Sequence, residues 1–125
     1  MGNEKIIEKD LVFEINKCVF EVYRVLGHGF LEKIYERALL KELRSKGLKA
    51  QAQVPIQVHY KGEIVGDYYA DLVVEDKVII ELKAQENLSK AYDAQLLNYL
   101  KATKIQVGLL VNFTYPKATV KRFVF

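Results

Sequence analysis

Cysteine occurs once in this sequence, tryptophan never, and proline and histidine twice each. The lone thiol of Cys18 excludes an intrachain disulfide. One Cys and two scattered His residues, His28 and His59, lack the recurring ligand spacing of a zinc site. Cys18 lies in an apolar helical pattern beside Val19 and Val22 and reads as a buried thiol, not a nucleophile. No Pro/Gly linker, repeat or low-complexity tract divides the chain, so residues 1–125 read as a single domain. No apolar run approaches the roughly 20 residues of a membrane span, and no signal peptide is visible. A cytoplasmic protein with no membrane association is the expectation. Neither sign of charge dominates, with 19 Lys and Arg against 16 Asp and Glu and a net +3. That mild excess is compatible with a polyanionic partner without requiring one.

Hydrophobic residues make up 50% of the chain, with eight Tyr and six Phe, which is enough to build a core and excludes a disordered segment. Ile7, Leu11, Ile15, Cys18, Val19, Val22 and Leu26 recur every three or four positions and predict a helix from about Glu4 to Leu26. Gly27-His28-Gly29 stops it. Leu31, Ile34, Tyr35, Ala38, Leu39 and Leu43 predict a second helix from about Leu31 to Ser45, with Gly47 as its C-terminal cap. The period then falls to two through Val54, Ile56, Val58 and Tyr60, as in a half-exposed strand. Turns at Lys61-Gly62-Glu63 and Glu75-Asp76-Lys77 bracket a strand from about Ile64 to Val74, and a short strand VIIELK follows. A helix from about Ser89 to Thr103, capped by Ser89 or Asn87, leads to the apolar strand Val107–Val111 and a last strand from Thr119 to Phe125. The order ααβββαββ is that of an α/β (α+β) domain with a mixed sheet, VIIEL and VGLLV running parallel across the third helix.

Three charges interrupt the strand pair: Asp71, Glu81 and Lys83. If Glu75-Asp76-Lys77 is a three-residue hairpin loop, Val74 faces Val78, Asp71 faces Glu81 and Tyr69 faces Lys83. Opposed residues point to one side of the sheet, so the three charges converge. Two carboxylates about 4 Å apart repel by roughly 4 kcal/mol at an effective dielectric of about 20. A shared proton, the Lys83 ammonium or a divalent cation must offset that. The plainer alternative is a partly buried salt bridge at a strand end.

Asp71 followed by Glu81-Leu82-Lys83 resembles the D…(D/E)-x-K signature of the PD-(D/E)xK nuclease superfamily. Gln95-Leu96-Leu97-Asn98-Tyr99 is similar to the Q-x-x-x-Y motif of its exonuclease-like branch, and Gly29-Phe30-Leu31-Glu32-Lys33-Ile34-Tyr35 spells the G-x-x-E-x-x-Y that names the small prokaryotic GxxExxY proteins. Ala70 stands where the motif's name has proline. The resemblance implies a restriction-endonuclease-like αβββαβ core, a mixed sheet flanked by helices, with an extra N-terminal helix. It implies that Asp71 and Glu81 ligate Mg²⁺ or Mn²⁺ and that Glu32 completes the acidic cluster, as a ligand or by accepting a hydrogen bond from the metal's water. Lys83 would orient the attacking water or stabilise charge on the phosphate. Gln95 and Tyr99 would hold a phosphate or position Lys83 and the metal ligands.

The implied activity is metal-dependent cleavage of nucleic acid, DNA in preference to RNA. The alternatives are a catalytically silent module of the same fold that binds nucleic acid or protein, and a small homodimerising scaffold. A domain this small calls for a second subunit or a partner to enclose DNA. Tyr35 and Tyr99 also suit core aromatics, and Gln95 and Glu32 suit exposed helix positions. His28 fits an exposed turn and His59 the solvent side of its strand. Tyr68-Tyr69 reads as strand packing or as a base-stacking platform, and Lys101, Lys104, Lys117, Lys121 and Arg122 as solvated charges or a basic rim.

Overall fold

The computed structural model describes residues 6–125. Helices α1 (Lys9–Leu26) and α2 (Glu32–Ser45) precede strands β1 (Ala50–Tyr60), β2 (Glu63–Val74) and β3 (Val78–Lys83). Helix α3 (Ala91–Thr103) crosses to β4 (Val107–Phe113), and β5 (Ala118–Val124) ends the order. The strands lie in sequence order in one five-stranded sheet, with β3 and β4 parallel and every other neighbouring pair antiparallel. This is the mixed α+β architecture that the periodicities predict. No helix among the described residues is long and apolar enough to cross a membrane.

Helix boundaries follow backbone conformation more closely than apolar spacing. The predicted start of α1 at Glu4 lies outside the described residues. Ile7, counted in its stripe, sits in a turn, and Glu8 adopts a left-handed conformation (φ 54°, ψ 35°) that no right-handed helix can include. The α1–α2 reversal uses Gly27 and Gly29 at φ +67° and +107°, angles that cost a residue with a Cβ. Helix α3 begins at Ala91, later than the predicted Ser89. Lys90 is its N-cap residue, while the Ser89 hydroxyl accepts the Ala91 amide at 3.1 Å.

Two cores sandwich the sheet. One face carries Leu72, Val74, Val78, Ile80, Leu109 and Val111 against α1 and α2, through Ile15, Val19, Tyr35 and Leu39. The other carries Val73, Ile79 and Leu110 against Leu96, Tyr99 and Leu100 of α3. Side chains from both faces of β3 and β4 are therefore buried, which is why these strands read as near-continuous apolar runs. Each such Leu, Ile or Val contributes about 1.5–3 kcal/mol of burial. Cys18 lies in the first core, where burial pushes its thiol above the usual range.

The alternation breaks at the same level on two strands. Ala52 and Leu72 face the α1–α2 core, yet Val54 and Ala70, each two residues away, face the α3 core. Gln53, at φ 52°, lies between Ala52 and Val54, and Asp71 lies between Ala70 and Leu72. A left-handed residue rotates the strand and exchanges its faces. The outer half of the β1–β2 ribbon is thereby turned relative to the inner half, with Asp71 at the pivot.

Helix α3 seats on β4 at Gly108, where a Cβ would approach Leu96 Cδ1 to 2.9 Å and Cγ to 3.0 Å. Gly108→Ala is expected to cost about 1–3 kcal/mol by overpacking. Urea denaturation of the two proteins, compared at equal m-value, measures it.

Candidate active site

The β2–β3 hairpin has the register expected of a three-residue loop: Val74 pairs with Val78, Val73 with Ile79 and Leu72 with Ile80. The next pair would be Asp71 and Glu81, and there the ladder stops. The Asp71 amide donates instead to Glu81 Oε1 at 3.1 Å, and the Leu82 amide donates to Asp71 Oδ2 at 2.8 Å. Each carboxylate thus takes the place of a carbonyl on the opposite strand. β3 meanwhile stays paired with β4 as far as Lys83 and Asn112, and β2 stays paired with β1. The expected Tyr69–Lys83 pair does not form, because the strands have already parted at Asp71 and Glu81. Asp71 and Glu81 do converge, but by filling a split in the sheet, not by lying opposed on an intact ladder.

Burial makes this pair costly when both groups are ionised. Glu81 is 5% exposed. Desolvation first, and the adjacent Asp71 charge second, push its carboxyl up to about 8, against smaller opposing effects of the Asp71 amide and Lys83. Tyr99 of α3 closes the site from the other side of the gap. Its phenol is pushed up to about 12, by burial first and then by the charges of Glu81 and Asp71, and the Tyr68 ring leans on it at 5.5 Å.

Lys83 does not neutralise the pair by direct contact. The described residues include no ion pair between it and either carboxylate. Its ammonium sits over the Tyr92 ring, 4.1 Å from the centroid. Tyr92 exchanges hydrogen bonds with the Gln85 amide at 2.9 and 3.1 Å, and the Gln85 backbone is clamped by buried Asn112 at 3.0 and 2.8 Å. The lysine is therefore held at the lip of the split, its charge free for an incoming anion.

A cavity of about 240 Å³ opens from Asp71 toward α2, lined by Glu32, Lys33, Glu36, Gln53 and Leu82. Glu32 reaches this cavity but is only half-buried. The buried acid of α2 is Glu36, 6% exposed. The Gln53 amide Nε2 donates to Glu36 Oε1 at 2.5 Å and to Asp71 Oδ1 at 3.4 Å, and Lys33 pairs with Glu36 Oε2 at 2.8 Å. Neither Glu36 nor Gln53 was singled out by motif. The one available signal was helical spacing: Glu36 follows Tyr35 and precedes Leu39 by three, on the buried stripe of α2.

Tyr35 is wholly buried and works as a scaffold. Its hydroxyl donates to the Gly27 carbonyl at 2.6 Å and accepts the Phe30 amide at 3.2 Å, and its ring stacks on Phe113 at 4.4 Å. Gln95 lies exposed one turn before Tyr99 and has no hydrogen bond to the acidic pair among the described residues. His28 and His59 are exposed, as their turn and strand positions predict.

The donor set suits a hard divalent cation. Asp71 and Glu81 offer carboxylate oxygens across a buried gap with no ammonium in contact, and a cation there removes the repulsion that now favours a proton. Mg²⁺ is held by one or two carboxylates together with waters and phosphate oxygens. Among the described residues no set of three or more His, Cys, Asp or Glu side chains is grouped to cage an ion. The protein side of the site is thus this pair, with Glu32 and Glu36 behind it.

Residues 9–123 match the family described as the PD-(D/E)XK nuclease superfamily. A search of curated proteins finds no match. The solved structure of SSO0001 is similar with a TM-score of 0.60 at 18% identity, over 94% of this chain and 59% of that one. The chain therefore spans about three fifths of the length of SSO0001. An alkaline exonuclease (LHK-Exo) from Laribacter hongkongensis is similar with a TM-score of 0.53 at 14% identity, over 87% of this chain and 68% of that one. At these identities the likeness is one of fold.

The Glu81 shift fixes the sign of a pH effect on stability. Without metal, folded Glu81 keeps its proton up to about pH 8, whereas the unfolded chain releases it near 4.5. Between these values the folded state binds more protons, so its stability falls as pH rises, and levels off above about 8. Urea midpoints of the chelator-treated protein should decline across that window, and Glu81→Gln should flatten the decline.

Proposed function

The chain belongs to the PD-(D/E)XK nuclease superfamily, whose nucleases generally use divalent metals, and from this premise we propose that it hydrolyses nucleic-acid phosphodiester bonds, DNA in preference to RNA, with Mg²⁺ or Mn²⁺ held by Asp71 and Glu81. The observation that carries the proposal is the split between β2 and β3. It brings together the buried Glu81 carboxylate and the half-buried Asp71 carboxylate while leaving the nearby ammonium unpaired with either. The bound cation would supply charge for the phosphoryl oxygens and a more acidic water.

The chain's own groups have separable tasks. Asp71 and Glu81 are oriented by the amides they accept, so neither needs to reorganise on binding. Lys83, steadied by Tyr92, presents its ammonium to a phosphate oxygen and stabilises the charge that grows there in the transition state. Tyr99 stays a neutral phenol at all physiological pH and serves as a hydrogen-bond donor. Glu32 lines the cavity beside Asp71 and Glu36 is tied to Asp71 through Gln53, so α2 can support both a metal-bound water and the ligand Asp71. Gln95 lies on the outer turn of α3, where an extended phosphate backbone would pass. The Gly29–Tyr35 stretch supports a reading of the chain as one of the GxxExxY proteins, with its Glu lining the cavity and its Tyr holding the loop.

Calorimetric titration with Mn²⁺ should show binding to the wild type that Asp71→Ala and Glu81→Ala each abolish. Equal heats in all three proteins would remove the metal site. On linear DNA, Lys83→Ala should lower cleavage by about 10²–10³-fold, as for loss of one transition-state donor, with metal binding retained. Cleavage that persists in chelator and in Glu81→Ala would belong to another site.

A further inference from the structure

Just beyond Lys83, a second opening lies between the α1–α2 reversal and the β4–β5 turn. It has a volume of about 300 Å³, at the small end of ligand pockets, and lies at the C-terminal ends of the parallel strands β3 and β4. Phe113 and Ala84 line its apolar part, while His28, Glu86, Thr114 and Tyr115 are further lining residues. Tyr115 is 71% exposed, and His28 meets it edge to face at 5.0 Å and 63°.

Two exposed rings on separate loops need a reason to be held together. Tyr35 supplies it. Its hydroxyl ties the Gly27 carbonyl and the Phe30 amide, fixing the loop that carries His28, and its ring stacks on Phe113, two residues before Tyr115. Both halves of the aromatic pair therefore hang from one buried stack. The rings are positioned before any ligand arrives, which lowers the ordering cost of binding.

We infer that this opening is a stacking subsite for one unpaired nucleobase of the strand whose phosphate lies at Asp71 and Glu81. The inference rests on the nuclease reading of that neighbouring site. Lys83 ends β3, and Ala84 follows it directly, so the two sites are separated by about 3.3–10 Å of extended chain. A base in a duplex has both faces covered by its neighbours, whereas an unpaired base can offer one to Tyr115. The Glu86 carboxylate and Thr114 hydroxyl can bond the edge of a base, although Glu86 would repel a phosphate. Exposed Lys117, two residues past Tyr115, suits the backbone instead.

The test uses a short fluorescent single-stranded oligodeoxynucleotide in chelator, so that nothing is cleaved. Tyr115→Ala should weaken binding by about tenfold while Tyr115→Phe stays within about twofold of wild type, since stacking needs the ring and not the hydroxyl. The protein has two histidines, so proton NMR offers an internal control. Ring protons of His28 should shift on adding the oligonucleotide and those of His59 should not, and an oligonucleotide of abasic sites should produce neither shift nor tight binding. Unchanged affinity in Tyr115→Ala, or equal binding of abasic and normal strands, would overturn the subsite. If wild type still cleaves DNA with Mn²⁺, the nuclease reading survives that result. Absence of both binding and cleavage would overturn both.

Discussion

Two hydrogen bonds hold the centre of this protein open. At the point where β2 and β3 would continue as a hairpin, Glu81 accepts the Asp71 amide and Asp71 accepts the Leu82 amide. A strand pair that separates inside a buried sheet leaves amides without partners, and each such amide costs about 1–3 kcal/mol. The carboxylates meet that need. In doing so they are drawn into the gap, where burial and mutual repulsion raise Glu81 to about 8. The same contacts that stabilise the split therefore concentrate negative charge, or the proton that relieves it, at this point of the sheet.

The surrounding architecture protects this opening. β3 remains anchored to β4 along its whole length, so the split costs the sheet nothing on that side. β1 and β2 remain paired past it, and the left-handed Gln53 turns the outer ribbon while its amide links Glu36 to Asp71. The two helical layers have different roles. α2 contributes acids and a cavity, and α3 contributes Tyr99 and, through Tyr92, the support of Lys83. Gly108 permits the close approach of α3 on which the second set depends.

Separation of charge follows from the Lys83–Tyr92 contact. An ammonium in direct contact with Asp71 or Glu81 would satisfy the pair and close the site to a cation. Over an aromatic face it is held by the ring quadrupole instead of by a carboxylate, a contact that contributes about 0.5–2 kcal/mol depending on its desolvation. The Asn112–Gln85–Tyr92 chain keeps the ring in place from the neighbouring strand. Tyr35 performs the parallel task for the reversal before α2. The tyrosine of the G-x-x-E-x-x-Y stretch thus acts through backbone geometry, at the motif's own first turn.

The sequence by itself determined the element order, the hairpin register and the meeting of Asp71 with Glu81, because periods of 3.6 and 2 and a three-residue turn are local properties of the chain. It also marked Lys83 and Tyr99, which follow on the same strand and the next helix. Tertiary structure alone decided that the ladder breaks at Asp71, that Lys83 turns to Tyr92, and that Glu36 and Gln53 join the site. Those outcomes depend on which groups satisfy buried amides and charges once distant strands and helices meet. No spacing along the chain encodes that competition.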